Sequence, residues 1–274
     1  MSVQLVDTHS HVDYIHRAEG PKPYDGIETH ATQVLARAES QGVRWVLNPS
    51  VEPARFADVM TLAEQQPSLY GAIAVHPCDV QHVASLEDCL KLAESFMNHP
   101  KCVAVGETGL DYYHDLTHVE TQKEFFRAFM TLAQTHNKPV IIHDREAHED
   151  VASITDEFPD VTGVMHCFGG NAAFALEMIE RGYLISFAGN VTFKNAKELH
   201  EAAKTIPLEW MLLETDAPFL APVPHRGKPS EPSFVRHVAE FIAELRGISL
   251  EEVATVTTEN ANRLFGVELN ERCS

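Results

Sequence analysis

The chain has 274 residues, of which 44% are hydrophobic and 22% charged, as is ordinary for a soluble globular protein that buries a sizeable core. Its 21 Lys and Arg against 40 Asp and Glu give a formal net charge of −19, which disfavours broad binding along a nucleic-acid duplex. The sequence shows no apolar run near the roughly 20 residues that span a bilayer, no secretory signal and no CxxC pair, so we expect a reduced cytoplasmic protein that binds no membrane.

Eight short apolar runs rich in strand-forming residues alternate with helical patterns along the chain. The predicted strands cover residues 4–11, 44–50, 69–77, 102–109, 139–144, 163–168, 183–189 and 211–218. Stretches between them, such as 28–42, 117–137 and 171–182, repeat apolar residues at helical spacing and end at Gly or Asn. No linker, repeat or low-complexity segment divides the chain, so we predict a single hydrolase domain over residues 1–274.

This alternation is typical of a (β/α)8 TIM barrel, an α/β fold of about 250 residues. An open, doubly wound sheet is the competing architecture, but such sheets usually carry a glycine-rich turn after the first strand. The segment after the first predicted strand has no such turn, and the barrel is therefore favoured.

Every predicted strand ends in polar residues. In chain order they are Asp7, His9, His11, Asn48, His76, Glu107, His143, His166, Ser186 and Asp216. Side chains two residues apart in a strand point to the same face, so Asp7, His9 and His11 are expected to project together. Barrel active sites are built from the carboxyl ends of strands, so these residues predict the site.

Six of these residues make a candidate metal centre: His9, His11, Glu107, His143, His166 and Asp216. Four imidazoles with two carboxylates suit Zn, Mn or Fe better than an all-oxygen cage for Mg or Ca. Six ligands exceed what one tetrahedral zinc needs, so two divalent ions are predicted, with Glu107 as the bridge between them.

Each ligand also has an ordinary structural interpretation. Two histidines two residues apart arise by chance, Glu107 could cap a turn, and Asp216 could cap a helix. His166 could be a satisfied core histidine. Cys167 is not counted as a ligand, because strand alternation would turn it away from the face of His166. The joint pattern is what favours a metal centre.

The motifs resemble those of the TatD family of metal-dependent hydrolases, within the amidohydrolase-like barrels. They run from VDTHSHVD through AVHP, GETGLDYY, IIHDRE and HCFGG to ETDAPFLAP, PVPHRGK and TTENANRLFG. The resemblance implies that one metal is held by His9, His11, Glu107 and Asp216, and the second by Glu107, His143 and His166. It also implies magnesium-dependent deoxyribonuclease activity, in some members from the 3′ end, or deacylation of charged tRNA in others.

Three positions depart from the family pattern. Ala217 stands where a serine is usual beside Asp216, Ser230 replaces an asparagine, and Glu146 replaces an aspartate. None is a predicted ligand. We expect the first two to affect hydrogen bonding around the ligands, and so substrate choice more than chemistry.

Loop residues supply candidates for substrate binding. Arg145, Arg226 and Lys228 could clamp a phosphate, although ordinary loop solvation or pairing with acids is an equal alternative. His76 could touch substrate or make a structural contact. Tyr112 and Tyr113 could stack on a base or simply pack.

We therefore predict a dinuclear metal-dependent hydrolase that cleaves DNA phosphodiesters, at single strands or ends, with Mg, Mn or Zn as its ions. Asp216 is predicted to be both ligand and proton acceptor. The alternatives are a deacylase or amidohydrolase acting on aminoacyl-tRNA or a small amide or ester, and a metal-binding barrel without activity. A monomer is compatible with the sequence.

Overall fold

The computed structural model of the protein describes residues 3–114 and 116–267. Eight parallel strands lie in chain order, each hydrogen-bonded to the next. They are β1 (Leu5–Asp7), β2 (Val43–Pro49), β3 (Leu69–Ala72), β4 (Cys102–Asp111), β5 (Val140–Arg145), β6 (Gly163–Met165), β7 (Tyr183–Phe187) and β8 (Met211–Leu213). Thr8 N–H donates to Leu213 O at 3.2 Å, which joins the last strand to the first. The predicted TIM barrel is confirmed.

Within residues 3–114 and 116–267, ten α-helices alternate with or follow the strands. They are α1 (Val12–His16), α2 (Ala31–Ser40), α3 (Phe56–Gln65), α4 (Leu86–Glu94), α5 (Val119–His136), α6 (His148–Asp156), α7 (Ala172–Glu180), α8 (Lys197–Thr205), α9 (Val235–Arg246) and α10 (Leu250–Phe265). None of the helices within the described ranges is both long and apolar enough to cross a membrane.

Strand alternation divides the core in two. Side chains on one face of the strands, such as Val105 and Ile142, pack with helix residues such as Phe126 in the larger cluster. Side chains of the other face fill the barrel interior, where the strands contribute Leu47, Ile141 and other residues, joined by residues of α10. The filled interior leaves the polar strand ends as the place where a site can form.

Several strands are shorter than predicted. β1 ends at Asp7, so the prediction that Asp7, His9 and His11 share one face of one strand is wrong. His9 and His11 lie in the turn that leads into α1, where Ser10 N–H donates to Leu47 O at 2.9 Å. On its other side, Ser10 pairs with Ala217 in an isolated parallel bridge, so the segment stays fixed between β2 and the residues after β8.

Gly109 lies where β4 approaches β5 too closely for a β-carbon to fit. It has a φ of +143°, and a β-carbon there would lie 2.0 Å from the carbonyl oxygen of His143 on β5. Gly109→Ala must push β4 from β5, so we expect it to lower the free energy of unfolding by about 1–3 kcal/mol, measured by urea denaturation. Gly169→Ala is the matched control, because a β-carbon at that position would meet nothing within 4 Å. Equal stability of the two variants would contradict the prediction.

Candidate metal centre

The two histidines after β1 are held against the segment after β8. Asp216 N–H donates to His9 O at 2.9 Å, and His11 N–H donates to Ala217 O at 2.7 Å. These main-chain bonds lie where the barrel closes, between the first and last strands. They bring the two imidazoles and the Asp216 carboxylate to one side of the mouth.

A first cluster of four atoms has the dimensions of a metal site. His9 Nε2 lies 3.4 Å from His11 Nε2, 3.1 Å from Glu107 Oε2 and 3.8 Å from Asp216 Oδ1. His11 Nε2 lies 3.9 Å from Glu107 Oε2 and 3.7 Å from Asp216 Oδ1. Ligands at about 2.1 Å from a tetrahedral zinc are about 3.4 Å apart, so these separations suit one ion.

A second cluster uses the other oxygen of the same carboxylate. Glu107 Oε1 lies 2.8 Å from His143 Nδ1 and 2.8 Å from His166 Nε2. Glu107 thus directs one oxygen to each cluster, which is the geometry required of a bridging ligand. The structure brings all six predicted ligands together at the mouth.

The donor set fits a pair of divalent ions. It offers four imidazole nitrogens and the oxygens of Glu107 and Asp216, a mixture that suits Zn, Mn or Fe. In the described parts of the chain, His9, His11 and Glu107 form one group of close potential ligands, and His76, Glu107 and His143 form another.

Two buried carboxylates that sequence reasoning missed orient the imidazoles. His143 uses Nε2 to contact Asp111 Oδ2 at 3.1 Å, and His166 uses Nδ1 to contact Glu214 Oε1 at 3.1 Å. Each contact leaves the ring nitrogen that faces Glu107 available for a metal, as in carboxylate–histidine–metal arrangements. The two-residue spacing of Glu214 and Asp216 was the sequence signal that could have found one of them.

Asp7 does not join the centre. Its carboxylate accepts hydrogen bonds from Thr215 N–H at 2.9 Å and from the Thr215 hydroxyl at 2.6 Å. It also accepts from His9 N–H at 3.3 Å. Asp7 therefore ties the segment after β1 to the segment after β8, and burial raises its pKa well above the ordinary value.

Cys167 lines the cavity beside the centre, and the prediction that it faces away is wrong. β6 ends at Met165, so strand alternation does not extend to Cys167, whose φ is 43°. Its N–H donates to Glu214 Oε1 at 2.7 Å. This backbone contact holds the carboxylate that orients His166.

His76 is arranged as a hydrogen-bond donor rather than a ligand. Its Nδ1 accepts from Cys78 N–H at 3.1 Å, so the neutral ring carries its proton on Nε2. That nitrogen lies 3.3 Å from His143 Nδ1 and 3.5 Å from Glu107 Oε1. Burial, reinforced by His143, lowers the pKa of His76 to about 3, so the ring is neutral.

Arg145 lines the cavity, with its guanidinium carbon 4.9 Å from the centre of the Tyr113 ring. Tyr113 is 59% exposed, which leaves this cation and ring open to a substrate. Tyr112, by contrast, donates its hydroxyl to Asp150 at 2.6 Å and packs against the core.

Arg226 and Lys228 lie farther out. The Arg226 guanidinium stacks on Phe193 at 4.0 Å, and neither Arg226 nor Lys228 is among the residues that line the cavity. Their predicted role in binding phosphate stays a prediction.

Two other polar residues at strand ends, Asn48 and Ser186, are buried, and Asn48 Nδ2 donates to Asp13 Oδ1 at 3.0 Å.

The three departures from the family pattern have different surroundings. Ala217 is fully buried in an apolar cluster with Ile15 and Val34, so a hydroxyl there would not face the metal ligands. Ser230 is buried and its hydroxyl has no hydrogen-bond partner among the described residues. Glu146 is exposed on the cavity wall, where it can meet a substrate directly.

The buried acids and imidazoles of the centre have strongly shifted pKa values. Burial, reinforced by Glu107 and Glu214, raises the pKa of Asp216 to about 8. Burial opposes a charged His166, but Glu107 and Glu214 outweigh it and raise the pKa of His166 well above its usual value. Burial and the neighbouring His166 lower the pKa of His9 to about 4. Divalent ions would replace the protons held on Asp216 and His166.

The centre opens into a cavity of about 720 Å³, which is the size of an ordinary small-molecule site. Its wall carries several carboxylates besides the predicted ligands, among them Asp79, Asp144 and Glu146. Arg145 is the one arginine or lysine among its lining residues in the described chain. The cavity is therefore acidic apart from whatever ions the centre holds.

Comparisons with known proteins agree with this architecture. The sequence matches the family model described as TatD related DNase over residues 6–266. YabD of Bacillus subtilis (strain 168), named an uncharacterized metal-dependent hydrolase, is 42% identical over 96% of this chain and 99% of its own. YcfH of Escherichia coli (strain K12), named likewise, is 38% identical over 96% of each chain. The crystal structure of YJJV, a TatD homolog from Escherichia coli K12, has a TM-score of 0.87 and 31% identity over 98% of this chain and 100% of its own.

The raised pKa of Asp216 predicts that metal binding releases a proton. Metal competes with the proton on Asp216, so affinity should rise with pH up to about 8, by at most tenfold per unit for that proton. In the metal-free protein the native state holds this proton between about pH 4 and pH 8, so its contribution to stability falls as pH rises through that window.

Calorimetry in two buffers of different ionisation enthalpy measures the protons released. At pH 7 we expect Asp216→Asn to release about one proton fewer than the unaltered protein. Glu146→Gln, on the exposed cavity wall, should release as many as the unaltered protein. The same release from Asp216→Asn and the unaltered protein would show that Asp216 is already ionised.

Proposed function

This chain belongs to the TatD-related DNase family, and on that premise we propose that it is a metal-dependent hydrolase that cleaves phosphodiester bonds in DNA. The observation that carries the proposal is the orientation of the Glu107 carboxylate. Its Oε2 faces His9, and its Oε1 faces His143 and His166. Hydrolases that attack phosphate use a pair of ions so bridged.

Two divalent ions at this centre would polarise a phosphoryl oxygen and lower the pKa of an attacking water toward neutrality. The protein must then accept the proton that the water loses. Asp216 faces His9 and His11 through Oδ1, which leaves Oδ2 for that proton. We therefore assign Asp216 the role of general base as well as ligand.

His76 and Arg145 are suited to hold the phosphate. The Nε2–H of His76 is directed toward the second cluster, close to Glu107 Oε1, where it can donate to a phosphoryl oxygen. A neutral imidazole donates there without adding charge to the four imidazoles already present. Arg145 contributes the cation of the cavity wall and can bind two oxygens at once.

The charge distribution favours a short or frayed strand. A net charge of −19 repels the extended backbone of a duplex. The exposed ring of Tyr113 beside Arg145 offers a surface on which a base of a single strand can stack. We therefore place the cleaved bond at or near the end of a single strand.

The acidic wall supports a second candidate, deacylation of an aminoacyl ester or a small amide. Asp79 and Glu146 line the cavity, and carboxylates there can bind the ammonium of an aminoacyl group. The same activated water attacks a carbonyl carbon. The two candidates differ in which wall residue the substrate needs: Arg145 for a phosphodiester, and Asp79 or Glu146 for an aminoacyl ester.

A substrate panel with Mg, Mn and Zn in turn separates the candidates. We expect single-stranded DNA to be cut faster than duplex, from an end, because the net charge of −19 repels the extended backbone of a duplex. Arg145→Gln should raise KM for DNA, and Glu146→Gln should not. Rapid nicking of closed circular duplex would contradict the end preference, and turnover confined to acylated tRNA would favour the deacylase.

Removal of the metals tests the mechanism. Chelation should abolish hydrolysis, and added divalent ions should restore it. Glu107→Ala and His143→Asn should each lower the rate by several orders of magnitude, because each disturbs the second ion of the pair. Lys91→Ala, on the exposed face of α4, should retain most activity. Full activity of protein shown by elemental analysis to be metal-free would exclude this mechanism.

Asp216→Asn separates the two roles of Asp216. The amide oxygen can still ligate, so metal content should fall only modestly, while the rate falls by roughly 100- to 10,000-fold for loss of a general base. His9→Asn should lose metal and rate together. Metal content and turnover are measured on the same preparations. Near-normal turnover of a metal-loaded Asp216→Asn protein would show that the base lies elsewhere.

A further inference from the structure

A separate group of potential metal ligands lies at the rim of the cavity. Cys78, Asp111 and His114 each place a ligand atom within 4.8 Å of the others. Of the groups of this kind found among the described residues, it is the one that contains sulfur and none of the six predicted ligands. Asp111 is fully buried, whereas the side chain of His114 is 60% exposed, so the group is reached from solvent.

Two loops bring the three side chains together. Cys78 lies in the 3-10 helix Pro77–His82 that follows β3, held there by its N–H bond to His76 Nδ1. Asp111 ends β4, and its Oδ1 accepts from the N–H groups of Tyr113 and His114 at 3.0 and 2.7 Å. The backbone of the loop therefore turns the carboxylate toward the neighbouring loop without any ion.

Asp111 Oδ2 is shared between the rim and the centre. It lies 2.8 Å from His114 Nδ1 and 3.1 Å from His143 Nε2. The opposite nitrogen of His143 faces Glu107. One imidazole ring thus separates this group from the second cluster.

We propose that Cys78, Asp111 and His114 form a third metal site, for a zinc-class ion. A thiolate, an imidazole and a carboxylate are ligands that zinc prefers, whereas Mg and Ca take oxygen. Three protein ligands leave a position for water or another ligand. Binding releases the thiol proton of Cys78 and any proton on His114 Nδ1.

The site has a structural consequence that does not depend on what the centre hydrolyses. An ion held by Cys78 and His114 links the loop after β3 to the loop after β4. The second of these loops carries Tyr113, whose ring lies beside Arg145. The ion would therefore fix the loop that holds the Tyr113 ring beside Arg145, which lines the cavity.

Titration with Co²⁺ in place of zinc tests the site. Thiolate bound to Co²⁺ absorbs in the near ultraviolet, and the predicted ligands of the centre include no sulfur. We expect the unaltered protein to bind a third equivalent with this absorption. Cys78→Ser should lose the band, and His114→Asn should bind the third equivalent more than about tenfold more weakly. Elemental analysis and circular dichroism show whether each variant keeps two ions and its fold.

Cys167→Ser is the matched control, because Cys167 lines the same cavity beside the centre. The band should persist in Cys167→Ser. Absence of a thiolate band in the unaltered protein would overturn the proposal. So would a band that survives Cys78→Ser and disappears in Cys167→Ser, since that sulfur would belong to the centre.

Discussion

The carboxylate of Glu107 is 2% exposed at the mouth of the barrel, with His143 and His166 nitrogens 2.8 Å from one oxygen and a His9 nitrogen 3.1 Å from the other. An ionised carboxylate in such a place costs several kcal/mol unless it is paired. Burial opposes its charge, but His166 and His9 outweigh that effect and hold the pKa of Glu107 well below its usual range. Burial opposes charge on His143 and His166, but Glu107, together with Asp111 at His143 and Glu214 at His166, raises the pKa of each.

Buried carboxylates position the imidazoles of His143 and His166, and backbone N–H groups position those carboxylates. Backbone N–H groups of the loops hold Asp111 and Glu214, and these carboxylates hold the outer nitrogens of His143 and His166. The inner nitrogens are left to meet Glu107. The ring orientations are thus set by the fold before any ion binds, which reduces the reorganisation that ion binding requires. Rigid placement of this kind suits the proposed pair of ions, which would need a fixed separation.

Much of this arrangement could be predicted from the sequence, because a barrel gathers all strand ends on one face. The alternation of runs predicted the fold, and the polar ends identified the six residues that converge. The strand lengths could not be predicted in the same way. β1 ends at Asp7, whose carboxylate accepts hydrogen bonds from Thr215, more than 200 positions away in the chain. A hydrogen-bond partner so distant leaves no periodic signal in the sequence. The length of β6 was overestimated in the same way, so the orientation of Cys167 was inferred from a strand that ends at Met165.

The division between the centre and the cavity wall also limits what sequence can say about substrate. The proposed chemistry needs only the carboxylates and imidazoles of the strand ends, and an activated water attacks phosphorus or a carbonyl carbon with the same ligands around it. On the proposed function, selection between these substrates falls to residues of the cavity wall. Arg145, at the end of β5, would favour an anion, and Asp79 and Glu146 would favour a cation. Ions at the centre would add positive charge to an otherwise acidic cavity. A substrate would then meet a positive centre and a mostly negative wall. The proposed single-strand end would satisfy both, with its phosphate at the ions and its base on the exposed ring of Tyr113, whereas an extended duplex would press many phosphates against the acidic surface.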